Sequence, residues 1–355
     1  MDEFASIRHW TAERQTEEWQ RRRGVVLGIG DDAAVIDPLV SIDGLDGPYE
    51  LVMAMDTMVE TLHFNERTMA DEDIGYKALA ANISDIAAMG GIPLHALVSA
   101  SVPRSFSPER MRQVYDGLYA CAERYGVAVI GGDTTSSPQH LVVAVTVTGA
   151  VEAGRALRRS GAQPGDVVVL AGQPLGMSAG GLHLLDAPDS PVSAAFSVEQ
   201  PREAAALARA HQRPEPSVRA GRLLLAHGCR SLNDVSDGLA SEAWEIAEAS
   251  GVRLIMRERD LPRSGSMTAF AAASGVKPLE WMLYGGEDYA LLGTMKPSDA
   301  AAAKAAFQAE GLPFYIIGEV QAGSPEARLI GADDADSAPE GVLLAKKGYN
   351  HFDES

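Results

Sequence analysis

Five segments, far apart in the chain, set the strongest constraint on its fold: GIGDD (28–32), MDT (55–57), NISD (82–85), GGDT (131–134) and NDVSDG (233–238). Each places aspartate beside glycine, serine or threonine, and four of them follow or interrupt strongly apolar sequence. A buried carboxylate is costly unless it is hydrogen-bonded or bound to a cation. A fold that converges these aspartates on a shared divalent-metal site is therefore the economical expectation. Mg2+ takes hard oxygen ligands and usually sits between one or two carboxylates and substrate phosphates, so the set points to phosphate chemistry.

At 355 residues the chain has room for two domains. Hydrophobic residues at 46% and charged residues at 22% describe an ordinary globular composition, neither disordered nor membrane-embedded. The net charge of −19 argues against a nucleic-acid surface, which needs Lys and Arg to neutralise phosphates. An acidic pocket also repels nucleotides unless divalent cations intervene, which strengthens the metal reading. Most of the 49 acidic residues are nevertheless expected to be solvated surface. Cys121 and Cys229 stand far apart without CxxC spacing, so buried free thiols are expected rather than a disulfide or a zinc site. The N-terminal MDEFASIRHW lacks a signal-peptide pattern and no apolar stretch would span a bilayer, which suggests a cytoplasmic protein with no membrane partner.

Along the chain, residues 5–23 read as a helix with Ile7, Trp10 and Trp19 turned inward, ending in a solvated Arg21-Arg22-Arg23. Strands are expected at 25–29, 51–55, 97–102, 127–130 and 141–150. Helices are expected at 72–89 and, after Ser107 as N-cap, at 108–125. The Gly, Pro and Arg cluster at 155–166 marks a candidate domain boundary. Beyond it come a strand at 167–171, helices near 176–187, 200–210, 217–227, 239–250 and 298–310, and strands near 253–256, 314–320 and 341–345. The tract 332–341 reads as a hairpin loop. Strands and helices alternate without a regular βαβ rhythm, which favours two α+β domains over one doubly wound sheet.

Neither a GxxxxGK[ST] loop nor a strand-GxGxxG-helix unit is present, so a nucleotide must be held otherwise. The glycine-rich 172–181 reads as a strand-to-helix turn ahead of a phosphate cradle. Asp31 and Asp32 fall in a turn, either as cleft carboxylates or as an Asx-turn. Asp56 and Asp133 are expected at strand ends. Asp85 lies in an Ala- and Ile-rich helix with Asn82 on the same face three residues earlier, as a ligand or as a surface residue. Asp234 and Asp237 flank Ser236 just before a helix that Ser236 or Asp237 would cap, which is compatible with metal binding. No histidine pairs with an obvious nucleophile. Transfer to an ionised phosphate needs alignment and charge neutralisation more than a base.

Taken together, GIGDDAAVI, MDTMVETLHF, YKALAANISDIAAMGG, IGGDTT, RALRRSGAQPGD, DVSDGL, YGGEDYALL and KGYNHF resemble the thiamine-monophosphate kinase family, nearly end to end. That family lies in the superfamily of aminoimidazole ribonucleotide synthetase and selenophosphate synthetase. The resemblance implies a mixed α/β, α+β fold in two domains. Residues 1–152 would bind ATP and Mg2+ and dimerise through their mixed sheet, and residues 153–355 would form an α+β domain. It implies a homodimer that phosphorylates thiamine monophosphate with ATP by direct in-line transfer, with several Mg2+ ions as cofactors and no nucleic-acid partner. By the same resemblance Asp32, Asp56, Asp85, Asp133, Asp234 and Asp237 are metal ligands. Gly132, Asp133, Arg159 and Ser236 would contact ATP, and His63, Glu287 and Tyr349 would hold the substrate. One departure is that Ala54 and Met55 precede Asp56 where similar proteins carry Ser or Thr. The competing readings are a sister ATP-dependent enzyme, a metal-dependent phosphohydrolase and a noncatalytic nucleotide binder. The sister enzymes are disfavoured because the N-terminal half has only Cys121, in a helix, and the chain does not end in cysteine.

Overall fold

The computed structural model describes residues 9–12, 14–29, 34–38, 40–45, 47–332 and 340–348. The chain forms two compact units, one of residues 1–86 and 91–156, the other of 87–90 and 157–355. In the first unit, strands β1 (Val25–Leu27) and β2 (Val35–Ile36) form a small antiparallel pair. Four longer strands, β3 (Tyr49–Val59), β4 (Ile92–Pro103), β5 (Ala128–Ser137) and β6 (Val142–Glu152), build a mixed sheet in the order β3-β6-β4-β5. Helices Asp71–Ala88 and Pro108–Tyr125 cross at glycines. A Cβ on Gly75 would stand 1.8 Å from Val114 O and one on Gly117 1.7 Å from Glu72 O, so only glycine permits this approach. Ser107 caps the second helix as expected, accepting the Arg110 N–H.

The sheet has one covered and one open face. Val98, Val145 and Val147 are buried, whereas Leu51, Met53, Met55 and Leu97 project from the other side and are exposed. Strands β3 and β5 both run past the aspartates that were expected to end them, because β6 and β4 continue to supply ladder partners. The single helix expected over 5–23 is also interrupted. Residues 9–11 are helical, and Thr16 caps a separate helix Glu17–Arg21 by accepting the Trp19 N–H. Arg21 and Arg22 pair with Glu17 and Glu18, while Arg23 stacks on Trp19.

The second unit is a seven-stranded mixed sheet of β7 (Val167–Ala171), β8 (Ser231–Asp234), β9 (Arg253–Arg257), β10 (Leu291–Met295), β11 (Phe314–Gln321), β12 (Glu326–Ile330) and β13 (Val342–Leu343). Its order is β13-β12-β9-β11-β7-β10-β8. Among the described residues of this sheet, only β9 and β12 pair in parallel. Strands β12 and β13 pair antiparallel around the tract read as a hairpin loop, of which 333–339 lie outside the described residues. Leu170, Leu239, Ile246, Phe270, Met282 and Leu292 lie at the centre of its core. Cys121 and Cys229 are buried free thiols, and burial pushes the Cys229 thiol up to about 12.

Candidate active site

In the first unit, helix Asp71–Ala88 meets β3 at Asp56. The side-chain carbonyl of fully buried Asn82 accepts the Asp56 N–H at 2.9 Å, and its amide donates to Ala78 O at 3.0 Å. One turn further on, Asp85 is the only partly exposed residue between 82 and 88, and it hydrogen-bonds to the Asp56 carboxyl. Asp56 retains solvent access, yet the surrounding chain desolvates its carboxyl enough to raise its pKa against the opposing effects of Asp85 and His63. Two carboxyls share such a bond only when one of them holds a proton, and a cation between them takes over that role. His63 adjoins the pair, with Nδ1 accepting the Val59 N–H at 3.0 Å. The structure thus brings Asp56, Asp85 and His63 together.

Asp133 sits elsewhere on the sheet. The register Asp56, Val145, Val98, Gly132 runs straight across all four strands. Three strand spacings separate its ends by about 14 Å. Because side chains alternate, Asp133 shares the open face with Ser99, Ala144 and Thr57, while Asp56 turns to the helical side. At Gly132 the strands approach so closely that a Cβ would stand 1.8 Å from Val98 O.

In the second unit, β8 ends at buried Asp234, in register with Leu291. Main-chain pairing continues past it. Val235 donates to Ala290 O at 2.7 Å, Tyr289 to Val235 O at 2.9 Å, and Glu287 to Ser236 O at 2.7 Å. Ser236 and Glu287 are therefore juxtaposed by the backbone. A Cβ at Gly286 would lie 2.2 Å from Ser236 O, which explains the glycine before Glu287.

Neither Ser236 nor Asp237 caps the following helix, contrary to expectation. Gly238, at φ +113°, occupies the N-cap of helix Leu239–Ser250 without a side-chain cap bond. Instead Glu242 reaches back from the first turn to accept the Asp237 N–H at 3.1 Å. The Asn233 amide donates to Glu242 and, at 2.9 Å, to Glu245. Arg159 completes the cluster, its Nε 3.2 Å from Asn233 Oδ1 and 3.1 Å from Glu245 Oε2. Burial, then the charges of Glu245 and Asp234, hold Glu242 well above the usual carboxylate range.

The glycine-rich segment 172–181 is a strand-to-helix turn. Gly176, at φ +77°, is the N-cap of helix Met177–Asp186, and the Asp288 carboxyl accepts the N–H groups of Gly176 at 2.6 Å and Ser178 at 3.1 Å. The chain's own carboxyl thus fills the position a phosphate would take at this helix end. Burial pushes Asp288 up to about 7, against the effect of these donors. Its neighbours Glu287 and Tyr289 both have left-handed backbones, at φ +64° and +49°. The closing segment also arrives here, since a Cβ on Gly348 would lie 2.8 Å from Asp237 O. Asp32 and Tyr349 lie outside the described residues.

Sequence reasoning passed over Glu242, Asp288 and His211. The available signals were an acid in the first turn of a helix, the second acid of GGED and a lone histidine on a polar helix. Among the described residues no group of three or more His, Cys, Asp or Glu is arranged to hold a metal ion by itself. Mg2+ needs only one or two carboxylates when phosphate oxygens and water complete its shell, and the Asp56–Asp85 pair fits that donor set.

The two units correspond to two family models. Residues 30–151 match the N-terminal domain of AIR synthase related proteins, and residues 163–330 match their C-terminal domain. The fold and the paired acidic segments thus define a two-domain AIR synthase related protein. The thiamine-monophosphate kinase of Bacillus subtilis strain 168 is 41% identical over 328 residues, covering 92% of this chain and 94% of that protein. A crystal structure of thiamine-monophosphate kinase from Stenotrophomonas maltophilia K279a superposes with a TM-score of 0.76 at 32% identity, over 90% of this chain and 96% of that one. AaThiL complexed with AMPPCP and TMP gives 0.72 at 28% identity, over 86% and 88%. The chain belongs to the thiamine-monophosphate kinase family.

Proposed function

We propose that this protein transfers the γ-phosphoryl group of ATP to thiamine monophosphate, yielding thiamine diphosphate and ADP, as a Mg2+-dependent homodimer in the cytoplasm. The observation that carries this reading is the main-chain pairing that sets Glu287 of GGEDY against Ser236 of DVSDG. It joins a segment characteristic of this family to one shared across the superfamily. The solved relative with AMPPCP and TMP supports the same pair of substrates.

In this reading Asp56 and Asp85 hold Mg2+, with Asp32, Asp133, Asp234 and Asp237 as further ligands. The bound cations would neutralise phosphate charge during in-line transfer. Gly132, Asp133, Ser236 and Arg159 hold ATP, the Arg159 guanidinium presenting its fork to phosphate oxygens once it leaves Glu245. His63, Glu287 and Tyr349 hold thiamine monophosphate, and the Glu287 carboxylate complements the cationic thiazolium. The acceptor phosphate is already ionised and requires no strong base. The exposed Leu51, Met53, Met55 and Leu97 supply an apolar surface for dimerisation.

The acceptor specificity tests the reading. Purified protein with ATP and Mg2+ is offered thiamine monophosphate, thiamine or a simple phosphate monoester. A diphosphate product from thiamine monophosphate alone is expected, and equal turnover of the monoester would overturn the assignment.

A further inference from the structure

We propose that His211 is a positioning residue that orients the Glu287 carboxylate toward the cationic ring of the substrate. The inference rests on the reading of Glu287 as a substrate contact. His211 lies near the end of helix Pro201–Gln212 and is 1% exposed, whereas the Glu287 side chain is 32% exposed. Its Nδ1 is 3.3 Å from Glu287 Oε2 and 3.1 Å from Ser178 Oγ. An ionised carboxylate only accepts, so a hydrogen bond to Glu287 requires the proton on Nδ1, shared with Ser178 Oγ as a second acceptor.

The surrounding packing fixes the ring. Helices Met177–Asp186 and Pro201–Gln212 pack so closely that a Cβ on Gly181 would stand 2.1 Å from Leu207 O and 3.0 Å from His211 Cβ. Asp288 anchors the first turn of the former helix through Gly176 and Ser178, so Ser178 is held in place beside the imidazole. Glu287 itself has a left-handed backbone, its N–H bound to Ser236 O. Such conformations persist where their surroundings over-determine them, and they gather at ligand-binding sites. A ring that only filled space would not need a nitrogen aimed at this carboxylate. Without the contact the carboxylate samples other rotamers, and recognition of thiamine monophosphate weakens while ATP binding does not.

Two isosteric substitutions test this in the full-length enzyme. In His211→Asn the amide nitrogen takes the place of Nδ1, and in His211→Gln it takes the place of Nε2. Both are polar and fit the space of the ring, so the test survives if a more drastic variant fails to fold. A charge-assisted hydrogen bond is worth about tenfold or more in binding. Expected is a KM for thiamine monophosphate within about threefold of wild type for His211→Asn, and raised about tenfold for His211→Gln and Glu287→Gln, with the KM for ATP and kcat little changed. Equal KM values for the Asn and Gln variants, or an ATP KM that rises in step, would overturn the proposal. If Glu287→Gln raises the KM but His211→Gln does not, only the role of His211 falls. If Glu287→Gln leaves the KM unchanged, the substrate role of Glu287 falls and the inference falls with it.

Discussion

The Asp288 carboxyl accepts the backbone N–H of Gly176 at 2.6 Å across 112 residues of sequence, tying GGED to the first turn of helix Met177–Asp186. Burial raises this carboxyl from 3.8 to about 7, so the folded state retains a proton that the unfolded chain releases. The linked stability is fully present below about pH 4 and is lost as the pH rises towards 7. Asp288→Asn, which keeps one acceptor and no titrating group, should be less stable than wild type by about 1 kcal/mol at pH 5. Urea unfolding at pH 5 and pH 8 should show that gap narrowing at the higher pH. A gap that widens would contradict the assignment.

The Asp56–Asp85 contact leads to a second expectation. Asp85→Asn removes one of two hard anionic donors but keeps the side chain's size. Initial rates should fall on the order of a hundredfold, with a higher Mg2+ concentration needed for half-maximal activity. An unchanged Mg2+ titration would remove Asp85 from the metal site.

Gly132 bears on the fold as well as the site. A Cβ there would stand 1.8 Å from Val98 O, so Gly132→Ala must push β5 away from β4. A loss of about 1–3 kcal/mol in urea unfolding is expected, accompanied by weaker ATP binding.

Dimerisation is tested on the open face of the first sheet. Met53 is 68% exposed beside Leu51 and Met55. Met53→Lys places a charge in the centre of this apolar patch, and light scattering should show a shift from dimer to monomer at micromolar concentration. A wild-type protein that is already monomeric would refute the interface.

Local chemistry carried much of this molecule into its sequence. The run Val167–Ala171 between Asp166 and Gly172 is legible as a strand because β-branched residues stand between turn formers. The three-residue spacing of Asn82 and Asp85 similarly reads as one helix face, which the structure turns to Asp56. Strands β3 and β5 were harder to read, because Asp56 and Gly131-Gly132-Asp133 look like stops until β6 and β4 are known to pair alongside them. Strands β8, β10 and β12, and the helices Pro191–Glu199, Gly265–Ser274 and Pro278–Tyr284, escaped for a related reason. They are short and depend on tertiary neighbours rather than on their own periodicity. Asp288 and His211 take their meaning from partners distant in the sequence, and Glu242 from a reverse bond where a forward cap was expected.

The most direct test of the central claim is one time course with Mg2+, ATP and thiamine monophosphate in which thiamine diphosphate, ADP and free phosphate are quantified together. Thiamine diphosphate and ADP should accumulate in equal amounts, with no free phosphate above background. ADP and free phosphate without thiamine diphosphate would contradict the account and make the protein a phosphohydrolase.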